Sequence, residues 1–310
     1  MKIAITGATG LLGSNLAKFY LSQGDQVYAL LKDEFSNIDT TGINKIYGNI
    51  NNKSDVDYFV QKSTPDYFIH LAAQTQAYDS LKYPYNTFFT NTIGTLNVLE
   101  SLREYDECKA IVIASSDKAY GELEGFEYLE SHILNGVYPY DASKSITDII
   151  SNSYRQTYLM PVATTRSCNI YGPGDNNPER LIPAIIKSYL SGKDMIIRNS
   201  GTDIREYIHV NDVVFAYDHI LKYLELNNDI GSFNISSGDR FSTMEVFHII
   251  EDIVGIPINH QVINNNSLEI KKQFMNSDLL TAKTGWFPKY EFKQSLIEIV
   301  DWYLKGLSIF

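Results

Sequence analysis

Thr6-Gly7-Ala8-Thr9-Gly10-Leu11-Leu12-Gly13 is the stretch that decides how this chain is read. It follows a short apolar run, Ile3–Thr6, and opens a helical pattern over Leu11–Ser22. Its glycines stand three apart, Gly-x-x-Gly-x-x-Gly. Such spacing gives a tight turn, lets backbone approach a pyrophosphate and allows close helix–strand packing. The positive end of the helix then faces the phosphates. A plain glycine turn is the bland alternative. The position, at the first strand–helix junction, favours a dinucleotide, with Gly7, Gly10 and Gly13 as its cradle.

Outward from this loop the pattern repeats. Val27–Leu31, Ile46–Tyr47, Phe68–Leu71, Ile111–Ala114 and Val162–Thr165 read as strands. Ser54–Lys62, Tyr85–Arg103 and Tyr140–Tyr158 read as helices between them. Alternating strands and helices argue for a parallel sheet with crossovers. The strands are continuous apolar runs, as in a sheet covered on both faces. After Tyr171 the texture changes. Gly172-Pro173-Gly174-Asp175-Asn176-Asn177-Pro178 is dense in turn formers. Shorter elements follow: a helix near Leu181–Leu190, a strand pair near Met195–Ile197 and Glu206–Val210, and a final helix Lys293–Leu304. The reading is an α/β chain with two parts, 1–172 for a cofactor and 173–310 for a substrate, part of 207–236 returning to the first.

Composition limits the classes. The chain has 310 residues, 44% hydrophobic and 20% charged, enough for a sizeable core and unlike a disordered chain, a collagen or a coiled coil. Its net charge of −11 speaks against non-specific nucleic-acid binding. The two cysteines, Cys108 and Cys168, cannot staple a chain of this length, which fits a reducing cytoplasm. No signal-peptide pattern and no membrane-length apolar run is read, and no metal site is expected.

The second strand ends Ala29-Leu30-Leu31-Lys32-Asp33. An acidic ribose anchor is usual near this point. Leu31 takes that place, so Lys32 tilts the reading toward a 2′-phosphate and NADP. The alternative is a solvated Lys32 with Asp33 on the ribose, and NAD as cofactor.

Tyr140-Asp141-Ala142-Ser143-Lys144 is Tyr-x-x-x-Lys at a helix start. Four residues make about one turn, so phenol and ammonium share a face. A nearby ammonium favours the phenolate and would let Tyr140 act as a base. With 22 tyrosines in the chain, a helix-surface pair is the bland alternative. Upstream, Ile111-Val112-Ile113-Ala114 runs into Ser115-Ser116-Asp117-Lys118. Ligands of open parallel sheets bind outside the carboxyl ends of strands. Ser116 is therefore placed to bond a substrate oxygen, the alternative being a turn cap. His70 reads as a packed strand-end histidine.

Taken together, these motifs resemble the extended short-chain dehydrogenase/reductase family of nucleotide-sugar epimerases and dehydratases. His70-Leu71-Ala72-Ala73, Asn91 before Gly94-Thr95, Asn169-Ile170-Tyr171-Gly172-Pro173 and Arg205-Glu206-Tyr207-Ile208-His209-Val210 extend the likeness over the whole chain. The resemblance implies a Rossmann-like, doubly wound parallel sheet with a smaller C-terminal α/β lobe for a nucleoside-diphosphate sugar. It implies tightly held NAD or NADP along Leu12, Lys32, Asn49, Ile50, Ala72, Ala73 and Asn91, with Tyr140 and Lys144 at the nicotinamide ribose. Gln74, Asn169, Arg180, Leu181 and Arg205 would hold the sugar nucleotide. A homodimer through the helices at Tyr85–Arg103 and Tyr140–Tyr158 is implied as well.

Asp117-Lys118 sets the subgroup. Ionisable residues there resemble sugar 4,6-dehydratases, and Asp followed by Lys is most like the CDP-glucose 4,6-dehydratases. Tyr171-Gly172-Pro173 and Arg205-Glu206-Tyr207-Ile208-His209 look like the general family instead. In this reading Tyr140, with Lys144, takes the proton of the sugar 4-hydroxyl, and Ser116 holds the carbonyl oxygen. Lys118, if buried, removes the C5 proton, and Asp117, if protonated, donates to the leaving C6 hydroxyl. A salt-bridged Asp117–Lys118 turn is the bland alternative, and a 4-epimerase or 4-ketoreductase the functional rival.

Overall fold

The computed structural model describes residues 1–33, 40–123, 127–197, 200–227, 231–263 and 270–306. In chain order, β1 (Lys2–Thr6), α1 (Leu11–Ser22), β2 (Gln26–Leu31), β3 (Asn44–Tyr47), α2 (Lys53–Ser63) and β4 (Tyr67–His70) open the fold. Then come α3 (Ala77–Lys82), α4 (Pro84–Phe88), α5 (Gly94–Tyr105), β5 (Ala110–Ala114), α6 (Pro139–Tyr158) and β6 (Val162–Ser167). The remainder is β7 (Asn169–Tyr171), α7 (Leu181–Ser191), β8 (Met195–Ile197), β9 (Ile204–His209), α8 (Val210–Leu226) and β10 (Ser232–Ile235). It ends with β11 (Arg240–Ser242), α9 (Thr243–Val254), β12 (His260–Val262), β13 (Lys272–Gln273), α10 (Asp278–Thr284) and α11 (Phe292–Gly306).

Seven strands form one parallel sheet in the order β10-β6-β5-β4-β1-β2-β3. This is the doubly wound arrangement expected from the alternating pattern, with order reversing at β1, between β2 and β4. Both faces are covered. Ile3 and Ile5 point into a core with Leu16 of α1 and Val213 and Ile220 of α8. Ala4, between them, points into a second core with Val56 and Phe59 of α2 and Val98 and Leu99 of α5. Two buried faces explain why β1, β4 and β5 read as unbroken apolar runs. A third core, around Ile185, Val246, Phe247 and Leu296, lies under the short strands of the C-terminal part.

Two expectations change. Tyr85–Arg103 is not one α-helix: α4 and α5 are separated by a π-turn at Phe89–Ile93. The turn places Asn91 inward, where it bonds to Gln74 and Ser143. Met195–Ile197 and Glu206–Val210 do not pair with each other. β8 pairs with β12, and β9 with β7, β11 and β13.

β10 escaped the sequence reading because Asn234 interrupts its apolar pattern. The side chain is buried yet satisfied: Tyr120 Oη donates to Oδ1 at 2.7 Å, and Nδ2 donates to the Tyr128 carbonyl at 2.8 Å.

The glycine loop sets how close α1 comes to the sheet. Gly7 has φ +75°, and a Cβ there would lie 2.7 Å from the Ala72 nitrogen. A Cβ on Gly13 would lie 2.2 Å from the Gly7 carbonyl oxygen. Both obstacles are backbone, so neither can swing aside. Gly13→Ala should therefore push α1 off β1 and cost about 1–3 kcal/mol. A urea unfolding midpoint unchanged from wild type would contradict this.

Candidate active site

The carboxyl ends of β1, β4 and β5 open into a cleft of about 2250 Å³ that runs on between α7 and β9. Its floor is the start of α1. Gly10 caps this helix with no side-chain bond to the first turn, and Gly10, Leu11, Leu12 and Gly13 line the cleft. The uncapped N–H groups and the positive helix end suit a pyrophosphate. Asn49, Ile50, Ala72 and Ala73 continue the wall, with Lys32 and Asp33 at one end. The residues present thus fit a dinucleotide.

Two residues expected on the ligands stand elsewhere. Asn91 is buried behind the wall and braces it: Nδ2 donates to the Gln74 carbonyl at 3.0 Å and to Ser143 Oγ at 2.8 Å, while Oδ1 accepts from the Gln74 N–H at 2.8 Å. Neither Asn91 nor Gln74 lines the cleft. The Gln74 amide donates to the Gln76 carbonyl instead. His70 is packed as read. Its ring lies between the Thr6 and Thr95 hydroxyls, and burial pushes its pKa down to about 3.

Ser116, Asp117, Lys118, Tyr140 and Lys144 all face the cleft. Ser116 is at once turn cap and site residue. Its Oγ accepts from the Lys118 N–H at 3.3 Å and donates to Asp117 Oδ1 at 2.9 Å. Asp117 is 5% exposed, and burial holds its carboxyl above the ordinary range. Among the described residues no ion pair joins Asp117 to Lys118. The Lys118 ammonium donates to Gln273 Oε1 at 3.0 Å. The salt-bridged turn is thus not formed, and Lys118 is half-buried rather than buried.

Tyr140 and Lys144 lie one turn apart on α6, with Lys144 Nζ 6.0 Å from the ring centre. That ammonium donates to the Ala114 carbonyl at 2.8 Å, tying α6 to the end of β5. Burial lowers Lys144 to about 8. The Tyr140 phenol is not lowered here. Burial pushes it up to about 12, with Asp117 and Asp141 adding to the rise and Ser116 and Arg180 opposing it. Across the cleft stand Asn169, Arg180, Leu181 and Arg205. Arg180 Nη1 bonds to Asp175 Oδ2 at 3.2 Å, and Asn169 Nδ2 to the Glu206 carbonyl at 2.9 Å.

Two further residues belong here. Asp141 lines the cleft and is 4% exposed. Burial raises its carboxyl to about 6, Asp117 adding and Lys118 opposing. It sat in plain view inside Tyr-x-x-x-Lys, where nothing distinguishes a wall carboxylate from a solvated one. Gln273 is joined to Lys118 across 155 positions, and no local signal marks it.

Because Asp141 has a folded-state pKa above its unfolded value, the native state holds that proton more tightly. Stability from this group is then lost as pH rises through about 6. Asp141→Asn should gain little over wild type near about pH 4 and up to about 3 kcal/mol by about pH 8. Urea unfolding across that range measures it. A difference independent of pH would remove the buried carboxylate as its cause.

Comparison with known proteins agrees with this geometry. Residues 3–236 match the family model "NAD dependent epimerase/dehydratase family". The low-salt glycan biosynthesis protein Agl12 of Haloferax volcanii is 29% identical over 314 residues, covering 98% of this chain and 99% of that protein. The dTDP-glucose 4,6-dehydratase of Bacillus anthracis, solved with NAD, is 26% identical with a TM-score of 0.88, over 99% of this chain and 98% of that one. The UDP-glucose 4-epimerase of Thermotoga maritima, solved with UDP-glucose, is 25% identical with a TM-score of 0.89, over 99% of this chain and 100% of that one. With three quarters of its length matched, this chain belongs to the NAD dependent epimerase/dehydratase family.

Proposed function

We propose that the chain is a nucleotide-sugar 4,6-dehydratase, converting a nucleoside-diphosphate hexose to its 4-keto-6-deoxy form. One observation carries the reading. Directly after β5, beside Ser116 and Tyr140, a buried Asp117 and a half-buried Lys118 face the cleft. A 4-epimerase needs only C4 oxidation and reduction. Elimination across C5 and C6 needs an added base and acid, and this pair supplies both.

The residues divide the work as follows. Tyr140 accepts the proton of the 4-hydroxyl. Its raised pKa favours the neutral phenol, so substrate and a charged Lys144 must together favour its ionisation. Ser116 donates to the oxygen that becomes the 4-carbonyl. The ketone acidifies the C5 hydrogen, which Lys118 removes. Asp117, whose burial favours the protonated acid, donates to the departing C6 hydroxyl, which leaves as water. NAD held along Gly7, Gly10 and Gly13 would supply the hydride acceptor and donor for C4 oxidation and C6 reduction, and Lys118 would return its proton to C5.

NAD, rather than the NADP toward which Lys32 leans, fits the family and the B. anthracis relative. Arg180 and Arg205 would hold the diphosphate. We read 1–172 as the cofactor part and 173–310 as the sugar-nucleotide part, with β10 returning to the large sheet as its edge strand and α8 packed on that sheet. The outer face of α4 and α6, where Tyr85 and Ile149 stand exposed, is read as the homodimer face. A cytoplasmic setting suits the two free, buried cysteines. No helix among the described residues is long and apolar enough to cross a membrane.

The relative solved with UDP-glucose favours the epimerase as second reading. Purified protein supplied with CDP-, dTDP-, UDP- and GDP-hexoses decides between them. A base-labile 4-keto-6-deoxy product is expected with at least one. A C4-inverted sugar without water loss would sink the dehydratase. Tyr140→Phe should lower kcat about 10²–10⁴-fold. Lys118→Ala should retain C4 oxidation and lose elimination, and undiminished water loss would free Lys118 of the role.

A further inference from the structure

We propose that Gln273 is the positioning residue for Lys118 in the elimination step, holding its amine at the cleft through the side-chain carbonyl. The proposal rests on the dehydratase reading. Gln273 lies on β13, a two-residue strand paired to β9 with Gln273 opposite Arg205. It is 1% exposed, and Lys118 Nζ donates to its Oε1 at 3.0 Å.

The other half of the amide sharpens the argument. Gln273 Nε2 is buried and, among the described residues, has no hydrogen-bond partner. Amides are normally turned so that both ends are satisfied. Here the turn is blocked, because reversing the amide would set its N–H donors against the donors of Lys118. A buried unpaired donor costs stability, and a methionine of the same reach would avoid that cost. What the glutamine adds is the bond to Lys118.

That bond matters because of what Lys118 is asked to do. A lysine on a four-carbon stem explores many rotamers, and proton abstraction needs the nitrogen within hydrogen-bond reach of C5. A fixed acceptor, itself buried, confines it. The acceptor is also neutral, so it accepts from an amine as well as from an ammonium. Carboxylates already act from two sides, Asp117 on the same turn and Asp141 on α6. From β9, Arg205 acts on Asp117, and Glu206 is engaged by Ser236, Gly238 and Met275. A third carboxylate at 273 would hold the proton on Lys118 and oppose its use as a base. In the step itself the C5–H bond breaks, its proton goes to Lys118 Nζ and its electrons form the C5–C6 double bond. The C6–O bond breaks as Asp117 gives its proton, and water leaves.

The test is Gln273→Met, assayed with the sugar nucleotide that wild type turns over. Rapid mixing follows the near-ultraviolet absorbance of reduced nicotinamide, and product analysis follows water loss. We expect unchanged C4 oxidation and KM, with elimination slower by about 10–100-fold. Undiminished elimination overturns the proposal. So does an equal fall in oxidation and elimination, which marks a structural effect. Should Gln273→Met fail to fold, Gln273→Glu keeps shape and acceptor. It should oxidise C4 normally, eliminate slowly at neutral pH and recover as pH rises. A pH response like wild type overturns the proposal. Wild-type protein that dehydrates no nucleotide sugar refutes the dehydratase reading, and Gln273's role with it. A dehydrating wild type beside an unimpaired variant refutes the role of Gln273 alone.

Discussion

Everything in this site depends on how closely one helix end can approach one strand edge. β1 stands at the reversal of the sheet, so the chain leaving it toward α1 meets the chain leaving β4 at Ala72. There is no room at either closest point for a Cβ. The absent side chains let backbone N–H groups face the cleft with no capping side chain between them. The anion site is therefore made of main chain and helix dipole. It draws on none of the protein's formal charge, so a chain carrying −11 can still offer a dinucleotide's pyrophosphate a favourable site.

The opposite wall works by burial instead. Asp117 follows the end of β5, Tyr140, Asp141 and Lys144 lie in the first two turns of α6, and desolvation is the largest influence on each. It acts in the direction of neutrality for all of them: acids are raised and the lysine is lowered. Burial thus shifts each group of the wall toward its uncharged form. Any ligand that brings charge or displaces water there changes that balance. The brackets behind the wall hold the geometry steady meanwhile. Asn91 ties the loop after β4 to α6 through Ser143, and Lys144 ties α6 to β5 through the Ala114 carbonyl.

Local motifs were legible where the chemistry is local. The glycine loop, the strand end at Ser116 and Tyr-x-x-x-Lys each occupy a few consecutive residues, and the structure brings them onto one cleft. Less legible was anything that trades on burial. Asn91 reads like a ligand-facing polar residue, but the π-turn directs it inward to a structural bond. Lys118 reads like the partner of Asp117, but it reaches over to Gln273. β10 was hidden because its inward Asn234 breaks the apolar pattern, a residue tolerated only because three distant segments satisfy it.

The sequence alone determined the alternation of strands and helices, the glycine turn and the kind of residues brought to the cleft. These follow from period, glycine placement and side-chain chemistry, all of which are set within a few positions along the chain. The tertiary structure decided which groups are desolvated and which meet. Burial and long-range hydrogen bonds depend on what the rest of the chain packs against each residue. Thus the raised carboxyl of Asp141, the upward shift of Tyr140 and the bond from Lys118 to Gln273 came into view only once β13 and α6 were in place.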